Sequence, residues 1–214
     1  MQRFTFTTLL LLVASLGFAQ NSDAKQEGVA SQLEKVDSSI HQVLDYTLTP
    51  EGLVLSRRMG KYGYTNLKKE VIIPFIYDFG AGEFSQGLAF VRKGLLIGYI
   101  DTKGNEVIPF KFSNASNFSE ELAAVVLNEK WGYINPKGET VIPFEYDLCF
   151  EFSLGLAAVR KDGKAGYINR KGEVVIPFIY EANGTFSKKL KLATVKKDGV
   201  WFQIDLNGNK ISSN

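Results

Sequence analysis

The sequence predicts an all-β protein: tandem three-stranded antiparallel meanders of about 34 residues, stacked as an open twisted array behind a short N-terminal helix. Three observations carry this reading. Pro74, Pro109, Pro143 and Pro177 each stand in an Ile-Pro-Phe triplet, at spacings of 35, 34 and 34 residues. A four-residue turn opening on Asp or Asn precedes each triplet and, from Asp101 on, closes on Gly. Phe-Ser pairs at Phe84, Phe118, Phe152 and Phe186 then lead back to a new first strand. A closed five-bladed propeller-like ring is the competing arrangement; three strands per unit and degenerate ends favour the open array.

In chain order, Arg3 precedes an apolar run from Leu9 to Val13, and Gly17 and Ala19 supply the small positions of a signal-peptidase site. Residues 1–19 therefore read as a signal peptide and Gln20 as the start of an exported chain, periplasmic or secreted to the cell surface. The apolar run is shorter than the roughly 20 residues that span a bilayer, so no membrane span is expected after cleavage. No Cys stands at the cut to carry a lipid. Residues 20–50 form an acidic linker with five acids against two lysines. Within it Leu33, Val36, Ile40 and Val43 recur at helical spacing, which predicts an amphipathic helix from Ala30 to Asp45 that caps the open end of the array. The stretch from Thr49 to Gly52 marks the boundary with the repeat domain, 51–214.

One unit is clearest from Gly155 to Phe178. Two apolar runs flank Asp162 and Gly163, a pair suited to the positive φ angles of a tight hairpin. The second run enters the turn from Asn169 to Gly172, repeated from Asp101, Asn135 and Asp205, where an oxygen acceptor opens the turn. The third strand follows with its proline, which has no N–H for a ladder and so implies an edge or a bulge. Counting first strands gives five units, approximately 52–86, 87–120, 121–154, 155–190 and 191–214, with both end copies degenerate. Alternation puts the small pairs Ala89/Val91, Ala123/Val125, Ala157/Val159 and Ala193/Val195 on one side of each unit. The same reasoning puts Ile, Phe and Tyr of the third strand together on a bulky side, which is expected to cover the small side of the next unit.

Composition agrees with a packed domain. Apolar residues make up 45% and aromatics 13%, which excludes a disordered chain. A net charge of +2 is too small to suggest nucleic acid. Cys149 is the only cysteine, so packing must stabilise the fold, and its apolar neighbours read it as a buried hydrophobe.

The run from Lys130 to Ile134, with Trp131, Gly132 and Tyr133 in its centre, continues into Asn135 to Glu139 and Val141 to Phe144. It resembles the bacterial WG-repeat family, also called KWG repeats, over roughly residues 52–211. The signature Trp recurs only at Trp201, with Tyr62, Ile97 and Ala165 elsewhere, and Phe202 replaces the Gly after Trp201. The resemblance implies an exported β-repeat module that mediates interactions, and it supplies no catalytic residues.

Nothing in the chain points to an enzyme, a cofactor or a metal. His41 lies on the expected capping helix with no second His or Cys nearby. Asp101, Asn135, Asn169 and Asp205 recur as turn acceptors, which explains them without calcium. Glu120, Glu121 and Glu151 break the repeat but read as solvated surface. Asn114, Asn117 and Asn183 match glycosylation sequons, of little weight in a bacterial family. The chain reads as a non-catalytic module presenting an extended β surface to a protein partner. A cell-wall or polysaccharide-binding module is the alternative. The candidate surface comprises Tyr99, Trp131, Tyr133, Tyr167 and Trp201 with the basic residues Lys188, Lys189 and Lys191. Tyr99, Tyr133 and Tyr167 form, with Tyr64, a row that either stacks on a partner or belongs to the core.

Overall fold

The computed structural model describes residues 52–80 and 83–211, all of them strand, turn or loop. The signal peptide expected over residues 1–19 and the helix expected over Ala30 to Asp45 lie outside the described residues. Five separate antiparallel sheets follow one another in chain order. The first comprises β1 (Val54–Arg58), β2 (Lys61–Thr65) and β3 (Val71–Tyr77); the second β4 (Phe79–Gly80), β5 (Leu88–Lys93), β6 (Leu96–Asp101) and β7 (Glu106–Phe112). The third contains β8 (Asn114–Ala115), β9 (Ala123–Leu127), β10 (Lys130–Ile134) and β11 (Thr140–Tyr146). The fourth contains β12 (Leu148–Cys149), β13 (Leu156–Lys161), β14 (Lys164–Asn169) and β15 (Val174–Tyr180), and the fifth β16 (Ala182–Asn183), β17 (Ala193–Lys197) and β18 (Val200–Ile204). No sheet closes on itself, and no hydrophobic cluster among the described residues joins the first sheet to the fifth.

The middle sheets have four strands where three were expected. The additional strand is only two residues long, too short to show a periodicity, and it pairs with the first strand of the following hairpin. A four-stranded antiparallel sheet is the blade unit of a β-propeller, so thinness no longer argues against blade-like units.

Each proline-bearing third strand is both a sheet edge and a bulge. Tyr99 pairs with Ile108 while Ile97 pairs with Phe112, so two residues of β6 oppose four of β7, and the same shift recurs in the first, third and fourth sheets. The bulge alters one face assignment. Ile108 and Phe112 face the third sheet, but Phe110 between them packs on the cluster shared with the first. Phe144 and Phe178 turn backward in the same way. The expectation that Ile, Phe and Tyr share a side is thus corrected, because the bulge inserts a half-turn that strict alternation does not foresee.

Sheet-on-sheet packing is otherwise the one expected, with bulky residues over small ones. Tyr133, Ile142 and Tyr146 of the third sheet meet Ala157, Val159 and Ile168 of the fourth. Two further contacts recur, the first at all four junctions and the second at the three from the second sheet onward. The turn glycine of one sheet lies on the triplet Ile of the sheet before, as an added Cβ on Gly138 would stand 3.1 Å from Ile108 and one on Gly172 3.3 Å from Ile142. Near the short strands, the Ser119 hydroxyl donates to the Phe152 carbonyl at 2.7 Å and Ser153 to Phe186 at 2.7 Å, while Ser85 does the same to Phe118. The Phe-Ser pair is therefore a clasp between consecutive sheets.

The outer face of the fifth sheet is polar where the inner ones are apolar. In the fifth sheet Thr194 pairs with Gln203, both exposed, at the register where Ala124 meets Tyr133 and Ala158 meets Tyr167. In the first sheet Ser56 and Thr65 stand in place of Val91 and Ile100 with their hydroxyls 3.2 Å apart, but Thr65 and the opposing Val54 are buried. Terminal units of a repeat array need a polar face like that of the fifth sheet to remain soluble.

Candidate interaction surface

Side chains that recur in the repeat are mostly consumed by the fold. Tyr99, Tyr133 and Tyr167 are fully buried. Each ring packs on the Phe of the next Phe-Ser pair at 4.9–5.0 Å. Their hydroxyls donate to the carbonyls of Ser116, Phe150 and Gly184 at 2.7–2.8 Å. Burial drives all three phenols well above their ordinary range, so they stay protonated donors. They are core, the second of the two readings open for the row, so Tyr99, Tyr133 and Tyr167 leave the candidate surface. A Tyr at a fixed strand position satisfies either reading until the packing partner is known; the following Phe is that partner. Cys149 is buried too, its thiol pushed up to about 12 by desolvation.

The other expected surface residues are separated. Trp131 is half-buried against the cluster between the third and fourth sheets. Trp201 is 57% exposed, opposite Lys196 near the hairpin end of the fifth sheet. Lys188, Lys189 and Lys191 are exposed at the other end of that sheet, in a four-residue turn closed by the Lys191 N–H on the Ser187 carbonyl. The corresponding turns after Ser85, Ser119 and Ser153 have two residues. The structure does not gather Trp201 and these lysines into one site.

Turn acceptors behave as structural groups. The Asn135 Oδ1 accepts from the Lys137 and Glu139 N–H groups, and Asp101, Asn169 and Asp205 repeat the arrangement. The residue four positions on supplies the complement. Asn135 and Asn169 donate to Glu139 and Glu173, whereas Asp101 and Asp205 accept from Asn105 and Asn209. An acid always faces an amide, which avoids carboxylate repulsion.

Glu120 and Glu121 are likewise directed into contacts. Both adopt positive φ, at 52° and 69°. Glu120 accepts from the Gly155 N–H at 2.9 Å, and Glu121 pairs with Arg170, so each clamps the third sheet to the fourth. Beside them lies an open cleft of about 600 Å³ lined by Leu122, Asn135, Pro136, Val141 and Lys171 as well as this ion pair.

The sequence model of the family described as "WG containing repeat" matches residues 62–94, 97–131, 131–164 and 166–201. The chain belongs to the WG-repeat family. No curated protein matches it. Among solved structures, a eukaryotic initiation factor superposes with a TM-score of 0.55 at 14% identity, over 78% of this chain and 52% of that one. Hsv2 of Kluyveromyces marxianus does so with a TM-score of 0.50 at 12% identity, over 77% and 63%. The WG array thus spans less than two thirds of either protein, and at these identities the likeness is one of fold alone.

Structure explains why the two signature letters differ in tolerance. An added Cβ on Gly63, Gly98, Gly132 or Gly166 would stand 2.6–2.8 Å from the carbonyl oxygen of the triplet Ile on the bulged neighbour strand. No side chain fits there. The Trp position points to the opposite face and accepts Tyr62, Ile97 or Ala165. In the fifth sheet the Gly is absent, and the pairing on that side of β18 is, among the described residues, the bridge from Ile204 to Lys210. Phe202 takes the Gly position and packs on Tyr180 at 6.3 Å, the role that Phe178 plays toward Tyr146 at 6.5 Å.

Along its outer edge the WG array exposes an apolar row that repeats from sheet to sheet. Ile72, Val107, Val141 and Val175 occupy the same position of β3, β7, β11 and β15 and are each 40–42% exposed, with the four prolines exposed beside them. The row is apolar, repeated once per sheet, and independent of the signature residues.

Proposed function

We propose that the WG array is a non-catalytic interaction module that presents its outer edge strands to a protein partner. The observation that carries the reading is the row Ile72, Val107, Val141 and Val175, an apolar surface repeated at one register in four sheets. Apolar side chains repeated on a rigid scaffold suit the core of a protein interface. Proline in each strand withholds an edge N–H, so a partner meets side chains instead of extending the sheet. The consumption of the recurring Tyr, Ser, Asp and Asn groups by internal hydrogen bonds supports a non-catalytic role. Residues 1–19 support export, to the periplasm or the cell surface.

The test is affinity capture from the exported fraction of the expressing cell. A partner retained by the wild-type chain and lost with Val107→Glu plus Val141→Glu, at unchanged thermal midpoint, supports the reading; equal retention by both chains sinks it. A glycan-binding reading now depends on Trp201, the exposed signature aromatic, and on Lys188, Lys189 and Lys191. Retention on insoluble peptidoglycan that disappears with Trp201→Ala would favour it.

A further inference from the structure

The hairpin tips of the five sheets differ in a way that folding does not require. The third, fourth and fifth tips carry Asn128-Glu129, Asp162-Gly163 and Asp198-Gly199, polar or glycine residues at positive φ. The first tip carries Met59-Gly60 and the second Gly94-Leu95. Met59 has φ 49°, a conformation that Asn, Asp and Gly adopt at lower cost, and its side chain is 98% exposed. Leu95 is 89% exposed. Two unbranched or γ-branched apolar side chains thus project from adjacent tips without contributing to the core.

Asp78 joins these two hairpins, since its carboxylate takes the Lys61 ammonium at 2.6 Å and the Gly94 N–H at 2.8 Å. Around the tips stand Arg57, Arg58, Arg92 and Lys93, exposed and in no ion pair with a described residue. The three arginines are instead stacked on Tyr62, Phe75 and Phe79 at 4.9–6.0 Å. Such stacking leaves their charge available to an external anion.

We propose that the hairpin end of the first two sheets docks peripherally on an anionic lipid surface, with Met59 and Leu95 entering the headgroup region and the surrounding cations meeting lipid phosphates. Charge complementarity selects an anionic surface, and convex apolar tips without a groove suit a deformable bilayer better than a folded partner. This docking is independent of the outer-edge row and of the partner-binding reading.

Sedimentation of the full chain with phosphatidylcholine vesicles, with and without phosphatidylglycerol, tests it. The readout is the difference between wild type and variants, so that the apolar run at Leu9 to Val13 cancels. Met59→Asp, which copies the residue of the fourth and fifth tips and is compatible with the turn, combined with Leu95→Asp, should lower partitioning onto anionic vesicles at least about tenfold. Neutralising Arg57 or Arg92 to Gln should lower it about fivefold each. Failure to bind anionic vesicles overturns the proposal. So does binding that the double tip variant leaves unchanged, an outcome that would assign the basic end to a soluble acidic partner.

Discussion

The Gly of the signature pair shows how one residue's identity can be set by a neighbouring strand. On Gly132 an added Cβ would meet the Ile142 carbonyl oxygen at 2.7 Å, Phe144 Cδ1 at 2.8 Å and the Phe144 nitrogen at 3.0 Å, two of them backbone atoms that cannot rotate away. Gly132→Ala should therefore cost about 1–3 kcal/mol, read as a lowered denaturation midpoint. Ionised residues act more weakly. The Asp78 carboxyl is held below its usual range by hydrogen bonds from Lys61 and the Gly94 N–H, and that of Asp147 by Lys130 and the Gly163 N–H. Because the folded values lie below the unfolded ones, near about 3.9, this stabilisation is complete above that pH and is lost as pH falls through the folded values. Urea midpoints measured from neutral to acid pH should decline less steeply in the Asp78→Asn, Asp147→Asn chain. The difference should be small, since both pairs face solvent.

At the scale of the strand and the sheet, the proline beat has a mechanical meaning. Proline, bulge, backward-turned Phe and the opposing Gly are one device. Neighbouring sheets are then joined by large-on-small packing and by the Ser-to-Phe clasp. Ala157, fully buried under Ile142 and Tyr146, has no room for a ring. Ala157→Phe should lower stability by about 1–3 kcal/mol through overpacking, and a chemical-denaturation curve that matches wild type would discard this account of the junction. The repeat period, strand order, turns and small-over-bulky rule were all legible in the chain. Alternation alone places the Phe of the triplet on the wrong face and gives no sign of the two-residue strands, because both depend on pairing between segments instead of alternation within one.

For the molecule as a set of stacked sheets, the ends decide how far it grows. Thr194 and Gln203 sit where the third and fourth sheets place Ala and Tyr, so the last face does not offer the surface that would receive another sheet. Restoring that pattern with Thr194→Ala and Gln203→Tyr should promote concentration-dependent self-association, visible by sedimentation velocity as species larger than those of wild type. An unchanged distribution would mean that the polar face is not what limits the array.

The sequence by itself determined the WG repeat, its period, the antiparallel hairpins and the buried character of Cys149, since each follows from local chemistry: turn residues, alternation and a proline without an N–H. It left the tyrosine row open between core and surface. Only the tertiary structure decided that, because burial depends on which side chain arrives from the next sheet. Long-range placement likewise separated Trp201 from the lysine turn, turned the triplet Phe backward, and brought Met59 and Leu95 together at one basic end of the first two sheets.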